Sequence, residues 1–131
     1  MAYLLDTPTL AEVLRTSPSR AFVRRLSGVP TRDRWTSVVS IGQLLVAARR
    51  TQQPRLMQDV VNLVAGIRVA PFDLAAAQAF AKLRSASAPA LDTDDLMMAA
   101  TALSLGFALV TRRPAPFSSI PALRVEDWVG R

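Results

Sequence analysis

The sequence contains neither cysteine nor histidine among its 131 residues. Without cysteine, disulfides and thiolate metal sites are excluded, and no redox compartment can be inferred. Without histidine, Ser–His and Cys–His catalysis are excluded, as is zinc held by imidazole. Any hydrolytic chemistry must therefore rest on carboxylates with a hard metal ion, on hydroxyl groups, or on Lys82 or arginine side chains.

Long apolar runs are also absent, although half of the residues are hydrophobic. No uninterrupted apolar stretch approaches the roughly 20 residues that a membrane-spanning helix needs. The N-terminal segment MAYLLD lacks the basic start and the long apolar region of a signal peptide. We therefore expect a cytoplasmic protein without a membrane partner, folded as one domain over residues 1–131.

Lysine is scarce, because all but one of the sixteen basic residues are arginine, and the net charge is +6. A basic balance favours an anionic partner such as nucleic acid. A GC-rich genome, which favours arginine codons, explains the same composition equally well. The charge alone therefore does not decide between a nucleic-acid-binding surface and a set of solvated side chains.

The stretch from Asp92 to Arg113 shows the clearest secondary-structure pattern. Its short acidic residues, DTDD, suit a helix N-cap and first turn, because carboxylate oxygens accept hydrogen bonds from the free N–H groups there. From Leu96 to Leu105 nearly every position is apolar or small, which predicts a helix covered on more than one side. Gly106 fits the left-handed position that ends a helix, and the following run FALV predicts a short buried strand. This order predicts an αβ unit of a parallel sheet.

The rest of the chain repeats the alternation of short strands and helices. Strands are predicted at residues 3–6, 36–40 and 123–128. Helices are predicted at residues 7–15, 21–26, 41–50, 54–66 and 74–85, and Asp73 is the expected cap of the last. Residues 67–72 read as a brief extended link and residues 86–91 as a connector. We therefore predict a single α/β domain with a mostly parallel central sheet flanked by helices.

Two acids stand where the predicted sheet would place a binding site. Asp6 ends the first strand, and Asp95 begins the helix expected to pack beside that strand. In parallel sheets, ligands bind beyond the carboxyl ends of the strands, at a topological switch point. Two carboxylates that converge there without histidine suit Mg²⁺ or Mn²⁺, which take oxygen ligands.

At these segments the chain resembles the PIN domain, especially the VapC-type toxins of bacterial toxin–antitoxin pairs. The matching segments are YLLDT at 3–7, TSVVSIGQLL at 36–45, DLMMAA at 95–100, LVTR at 109–112, and Phe117 and Ile120 before LRVEDW at 123–128. The resemblance implies a parallel-sheet fold in which acids from distant segments bind one or two ions of Mg²⁺ or Mn²⁺ and activate water to cut single-stranded RNA. It also implies a small antitoxin partner and commonly a homodimer.

The departures from the family pattern fall on the chemistry. Asp6 and Asp95 match two family acids, whereas the usual glutamate falls at Gln43 and a usual Asn or Asp falls at Arg113. A further common acid falls at Pro116. Asp6 and Asp95 are the metal ligands that the resemblance implies, and Gln43 is either a weak neutral ligand or a hydrogen-bonded spectator. We expect weak Mg²⁺ binding, because the ligand charge has dropped.

Three functions are compared on this basis. The first is an active or weakened metal-dependent endoribonuclease with Asp6, Asp95 and Gln43 as its catalytic residues and with Arg112 or Arg113 contacting phosphate. The second is a catalytically inactive PIN domain that binds RNA or a protein partner without cutting, which the missing glutamate and Arg113 favour. For Asp6 and Asp95 separately, the alternative to a metal ligand is a helix cap. The third, a nucleotide-binding α/β module of another kind, lacks a glycine-rich phosphate loop and is set aside.

Two further predictions concern contacts. The guanidinium of Arg113 is predicted to enter the cleft and to pair with Asp6 or Asp95 in place of a metal ion. The first two helices carry more apolar surface than a small sheet edge needs to cover, which predicts an interface for an antitoxin peptide or a second copy. The residues concerned are Leu10, Val13, Leu14, Phe22, Val23 and Leu26.

Overall fold

The computed structural model describes residues 1–86 and 91–130, and strands alternate with helices through most of them. The strands are β1 (Tyr3–Leu5), β2 (Arg34–Ser37), β3 (Arg68–Ala70), β4 (Ala108–Val110) and β5 (Val125–Glu126). The helices are α1 (Thr7–Glu12), α2 (Arg20–Ser27), α3 (Val38–Arg50), α4 (Pro54–Leu63), α5 (Leu74–Ser85) and α6 (Thr93–Leu105). Short 3₁₀ turns lie at Thr31–Asp33 and Ala115–Phe117.

The five strands form one parallel sheet in the order β3-β2-β1-β4-β5. After β1 the chain adds β2 and β3 on one side, and then it crosses back to add β4 and β5 on the other. The strand order therefore reverses between β1 and β4, and the crevice at their carboxyl ends is where ligands bind in sheets of this type. The predicted α/β fold, with a mostly parallel sheet flanked by helices, is confirmed.

Helices cover both faces of the sheet, and the alternation of side chains along β1 assigns its residues to two cores. Tyr3 and Leu5 belong to a core that includes residues of α1, α2, α3 and α4. Leu4 belongs to the opposite core, which includes residues of α5 and α6. A strand buried on both faces needs consecutive apolar residues, which explains the run YLL. This packing fixes the direction of the chain as it leaves β1 at Asp6.

Helix α6 begins and ends as the sequence predicts. Asp92 is its N-cap, and the carboxylate of Asp92 accepts a hydrogen bond from the backbone N–H of Asp95 at 2.8 Å. Ala99 and Ala100 are fully buried, and their small side chains let the helix lie close to its neighbours. Gly106 ends the helix in the left-handed conformation, with φ of 70°.

Several element boundaries differ from the prediction. The strand predicted at 36–40 ends at Ser37, because the Ser37 hydroxyl accepts a hydrogen bond from the N–H of Val39 and starts α3 at Val38 instead of residue 41. The valines there favour a strand, but this cap and the packing of α3 outweigh that weak preference. Residues 67–72, predicted as a link, contain the edge strand β3, which is too short to show an alternating pattern.

Two helices are shorter than predicted. Helix α1 ends at Glu12 and α4 ends at Leu63, whereas the sequence pattern extends to residues 15 and 66. The connector predicted at 86–91 lies largely outside the described residues, since residues 87–90 are not described. Within the part of the chain that the structure describes, no helix is long and apolar enough to cross a membrane.

Candidate active site

Asp6 lies directly after β1 at the carboxyl edge of the sheet, and it is both a helix cap and a buried acid. Its Oδ1 accepts a hydrogen bond from the backbone N–H of Thr9 at 3.0 Å, which makes it the N-cap of α1. Its backbone N–H donates to the carbonyl of Val110 in β4 at 3.0 Å. The residue is 1% exposed, and its Oδ2 has no hydrogen-bond partner among the described residues. Capping therefore uses only half of this carboxylate.

Asp95 lies in the first turn of α6, and because Asp92 caps that helix, the side chain of Asp95 is free for another role. Burial raises the pKa of Asp95, and the negative charges of Asp92 and Asp6 raise it further. A hydrogen bond from Arg113 and the positive charge of Arg113 act in the opposite direction. The effect of the Asp6 charge on the pKa of Asp95 indicates that the two acids lie within electrostatic range of each other at the carboxyl edge of the sheet.

Gln43, in the second turn of α3, is hydrogen-bonded through both ends of its amide. Its Oε1 contacts the hydroxyl of Thr7, which also lies 3.0 Å from the hydroxyl of Ser40. Its Nε2 donates to Oδ2 of the exposed Asp94 at 2.5 Å. The side chain thus links α1, α3 and α6 at the edge of the cleft. Thr7 and Asp94 are site residues that the sequence argument did not identify.

The two arginines after β4 point to different acids. Arg113 donates from Nη2 to Oδ2 of Asp95 at 3.0 Å, so the predicted pairing of Arg113 with one of the two site acids is confirmed. Its backbone N–H donates to the hydroxyl of the buried Thr111, which holds the start of this loop against the sheet. Arg112 instead lies with its Nη1 3.9 Å from Oε1 of Glu12. Only Arg113 joins the acid pair.

Glu12 is a third acid near this loop, and it was not predicted as a site residue. Its side chain is 1% exposed. Among the described residues, Glu12 and Asp6 are the two acids that are fully buried. Asp6, Thr9 and Glu12 are all buried and recur every third residue along α1. That recurrence is the sequence signal that could have identified Glu12, because helical residues three apart lie on one face.

The donor set decides how well a divalent metal ion fits this cleft. Asp6 offers one buried oxygen that has no partner in the described part of the chain, which suits a cation. Asp95 already faces Arg113, and the amide oxygen of Gln43 already faces Thr7. No group of three or more acids that could hold a metal ion occurs within residues 1–86 and 91–130. Two carboxylates beside a guanidinium do not fit tight binding of Mg²⁺ or Mn²⁺.

A second feature lies away from the cleft, between α1, α2 and α4. A groove of about 260 Å³ is lined by Val13, Phe22, Val23 and Leu26, and a neighbouring one of about 290 Å³ shares Val13 and Leu26. Leu10 and Phe22 are buried in the core and add little exposed surface, contrary to the prediction. The other four residues of that prediction, of which two follow the end of α1 and two belong to α2, are at least partly exposed: Val13, Leu14, Val23 and Leu26.

Comparisons with known proteins identify the family of the chain. The profile of the PIN domain matches residues 3–118. The chain is similar to VapC ribonuclease Y4jK from Sinorhizobium fredii, with 29% identity over 136 residues that cover 95% of this chain and 96% of the relative. It is 27% identical to the tRNA(fMet)-specific endonuclease VapC of Salmonella typhimurium, with 98% of each chain covered.

The solved structures give the same answer for the fold. The VapBC-1 structure from nontypeable Haemophilus influenzae matches with a TM-score of 0.84 and 25% identity, covering 98% of each chain. Similar structures also include VapBC bound to DNA. Ribonucleases of this family generally depend on divalent metals. The family profile covers most of the chain and includes the positions of Asp6, Gln43, Asp95 and Arg113. The chain therefore belongs to the PIN domain family, in the lineage of the VapC-type ribonuclease toxins.

Proposed function

We propose that this PIN domain, formed by residues 1–131, binds single-stranded RNA in the cytoplasm and that its metal-dependent cleavage is impaired. The main support for this proposal is the ion pair between Arg113 and Asp95, because it places a permanent positive charge beside one of the two site acids. The alternative is a catalytically inactive PIN domain that serves as an RNA- or protein-binding module. In both proposals the site residues are Asp6, Asp95, Gln43, Arg112 and Arg113.

The charge of the cleft supports impaired cleavage. Asp6 and Asp95 supply two negative charges, Arg113 supplies one positive charge, and Gln43 is neutral. Asp6 and Asp95 would hold a divalent ion through their carboxylates, but Arg113 already pairs with Asp95. Mg²⁺ also gives up its water reluctantly and is held through carboxylates, so a site with less negative charge binds it weakly. The exposed guanidinium of Arg113 keeps donors free for the phosphate of an RNA strand.

Titration calorimetry with Mn²⁺ tests this proposal directly. We expect weak binding by the wild type and clearly tighter binding by the double variant Gln43→Glu with Arg113→Asn, which restores acidic charge and frees Asp95. A matched control is Gln58→Glu with Arg55→Asn on the exposed side of α4, which makes the same charge change away from the cleft. Tight binding by the wild type, or RNA cleavage with Mn²⁺ that disappears in Asp6→Ala, would show that the site is an ordinary nuclease.

The partner that fits this lineage is a small antitoxin-type protein. The relevant neighbours are VapBC structures, and this chain carries an open apolar groove between α1, α2 and α4. We propose that an apolar segment of such a protein occupies the groove, with Val23 and Leu26 as contacts and Arg34 at the rim. An antitoxin-like reading frame next to the gene would identify the partner.

A homodimer is proposed as well, and α3 offers a face for it. Val38 and Val46 are exposed on this helix, and a Cβ added at Gly42 would meet no atom of residues 1–86 and 91–130 within 4 Å. The open groove beside Gly42 measures about 700 Å³ and reaches Gln43 at the cleft. Sedimentation of wild type and Val46→Arg tests this interface, because a charge there should shift the protein toward the monomer.

A further inference from the structure

The buried carboxylate of Glu12 has no role in the function proposed above, and it lies at the C-terminal end of α1. Taking a carboxylate out of water is costly unless cations and hydrogen bonds replace its hydration. An apolar side chain would fill the same space without that cost. The side chain is nevertheless 1% exposed. Its contacts therefore indicate what the charge is for.

Those contacts join three segments of the chain. Oε2 of Glu12 accepts a hydrogen bond from the backbone N–H of Ser19, the N-cap of α2, at 2.8 Å. Oε1 lies 3.4 Å from Nη1 of Arg15 and 3.9 Å from Nη1 of Arg112. One oxygen thus fixes the turn between α1 and α2, whereas the other faces two guanidinium groups, one of which belongs to the loop after β4.

Arg112 and its neighbour Arg113 contact acids in different helices. Arg112 stands next to Arg113, whose guanidinium pairs with Asp95, so the two side chains are held apart by acids in α1 and α6. The Arg112 side chain remains 44% exposed. A guanidinium has five donors, and the one ion pair that Arg112 makes within residues 1–86 and 91–130 leaves most of them free for an anion. The charge of Glu12 therefore attracts Arg112 over a distance too long for a hydrogen bond, and the guanidinium stays open to an anion.

We propose that Glu12 is a positioning residue that holds the Arg112 guanidinium at the rim of the cleft as a phosphate-binding group for RNA. The proposal rests on the RNA-binding function proposed above. An arginine that is already oriented loses less conformational freedom when it binds phosphate, so the contact gains affinity. Glu12 achieves this from a buried position, where its own charge does not face the RNA.

RNA binding at several salt concentrations distinguishes positioning from simple charge. Glu12→Gln keeps an acceptor for Ser19 but removes the negative charge. Positioning predicts that this variant binds a single-stranded oligonucleotide about three- to tenfold more weakly, although its net charge is more positive. Its plot of log affinity against log salt should also lose about 0.7 in slope, the value for one phosphate contact.

Two controls make this test specific. Asp59→Asn on α4 makes the same charge change away from Arg112, and it should bind RNA equally well or more tightly. Arg112→Ala should show the same loss as Glu12→Gln, and the double variant should be no weaker than Arg112→Ala alone. Tighter binding by Glu12→Gln, or losses that add in the double variant, would overturn the proposal.

A spectroscopic measurement does not depend on RNA. The side-chain Nε–Hε signal of Arg112 in ¹⁵N spectra, assigned with Arg112→Lys, should report restricted guanidinium rotation in the wild type and faster rotation in Glu12→Gln. An unchanged signal would show that Glu12 does not order Arg112. If the wild type binds no RNA, the RNA-binding function is wrong, and the signal of Arg112 still decides whether Glu12 orients it.

Discussion

The guanidinium of Arg113 lies 3.0 Å from the carboxylate of Asp95, at the carboxyl edge of the sheet where the strand order reverses. The charge of Asp6 acts on the same carboxylate. The cleft therefore contains an internal cation. Its consequences can be measured on Asp95 itself.

We predict that Arg113→Asn raises the pKa of Asp95 further. Burial and the charges of Asp92 and Asp6 already raise it, and the substitution removes the hydrogen bond and the charge that lower it. Titration of the carboxyl carbon by ¹³C NMR checks this expectation. Arg124→Asn, at an exposed arginine that pairs with Glu126 instead, should leave the pKa of Asp95 unchanged.

The stability of Arg113→Asn should also depend on pH differently from that of the wild type. A carboxyl group whose folded pKa is raised favours the folded state while it is protonated, below its unfolded value of about 3.9. That contribution is lost as the pH rises through the folded pKa. Arg113→Asn should therefore lose more stability than the wild type between about pH 4 and neutrality. Equal pH profiles from denaturant unfolding would contradict the prediction.

Two variants of Asp6 should distinguish its role as a helix cap from its role as a site acid. Asp6→Ala removes the acceptor for the N–H of Thr9 and should cost about 1 kcal/mol of unfolding free energy. Asp6→Asn keeps a capping oxygen and removes a buried charge, so we expect a smaller loss of stability or none. Urea unfolding of the two variants decides this point, and equal losses would mean that the cap contributes nothing.

The groove between α1, α2 and α4 should tolerate a charge in the free protein but not in a complex. Val23 is 45% exposed on α2, so Val23→Asp should change stability little. Its affinity for the product of an adjacent antitoxin-like reading frame should fall by at least about tenfold, because the interface would bury an unpaired charge. Leu74→Asp, on the exposed side of α5, is the matched control and should bind like the wild type.

Two glycines should respond in opposite directions to alanine. Gly106 has φ of 70°, so Gly106→Ala should destabilise the protein by roughly 1 kcal/mol. Gly42 lies inside α3, where an added Cβ meets no atom of the described residues within 4 Å, so Gly42→Ala should stabilise the monomer by about 0.5–1 kcal/mol. Thermal unfolding of both variants checks the prediction. A destabilised Gly42→Ala would indicate that this face of α3 is covered in solution.

Local pattern was sufficient for the parts of the fold that repeat a simple rule. The acid cap at Asp92, the buried helix after it and the terminal Gly106 are all readable because each depends on neighbours within one or two turns. The boundary at Ser37 was not readable, since two valines favour a strand and only packing of α3 reverses that preference. The edge strand β3 was not predicted for a related reason, because it is defined by its hydrogen bonds to β2, which is distant in the sequence.

In the candidate site, the sequence by itself determined which charges are present and the order in which Asp6, Gln43, Asp95 and Arg113 reach the carboxyl edge of the sheet. Only the tertiary structure decided which groups pair. Arg113 meets Asp95, Gln43 meets Asp94 and Thr7, and Arg112 turns to the buried Glu12. These choices depend on distances of 4 Å or less between side chains from separate elements, and such distances are fixed by the packing of the helices on the sheet rather than by spacing along the chain.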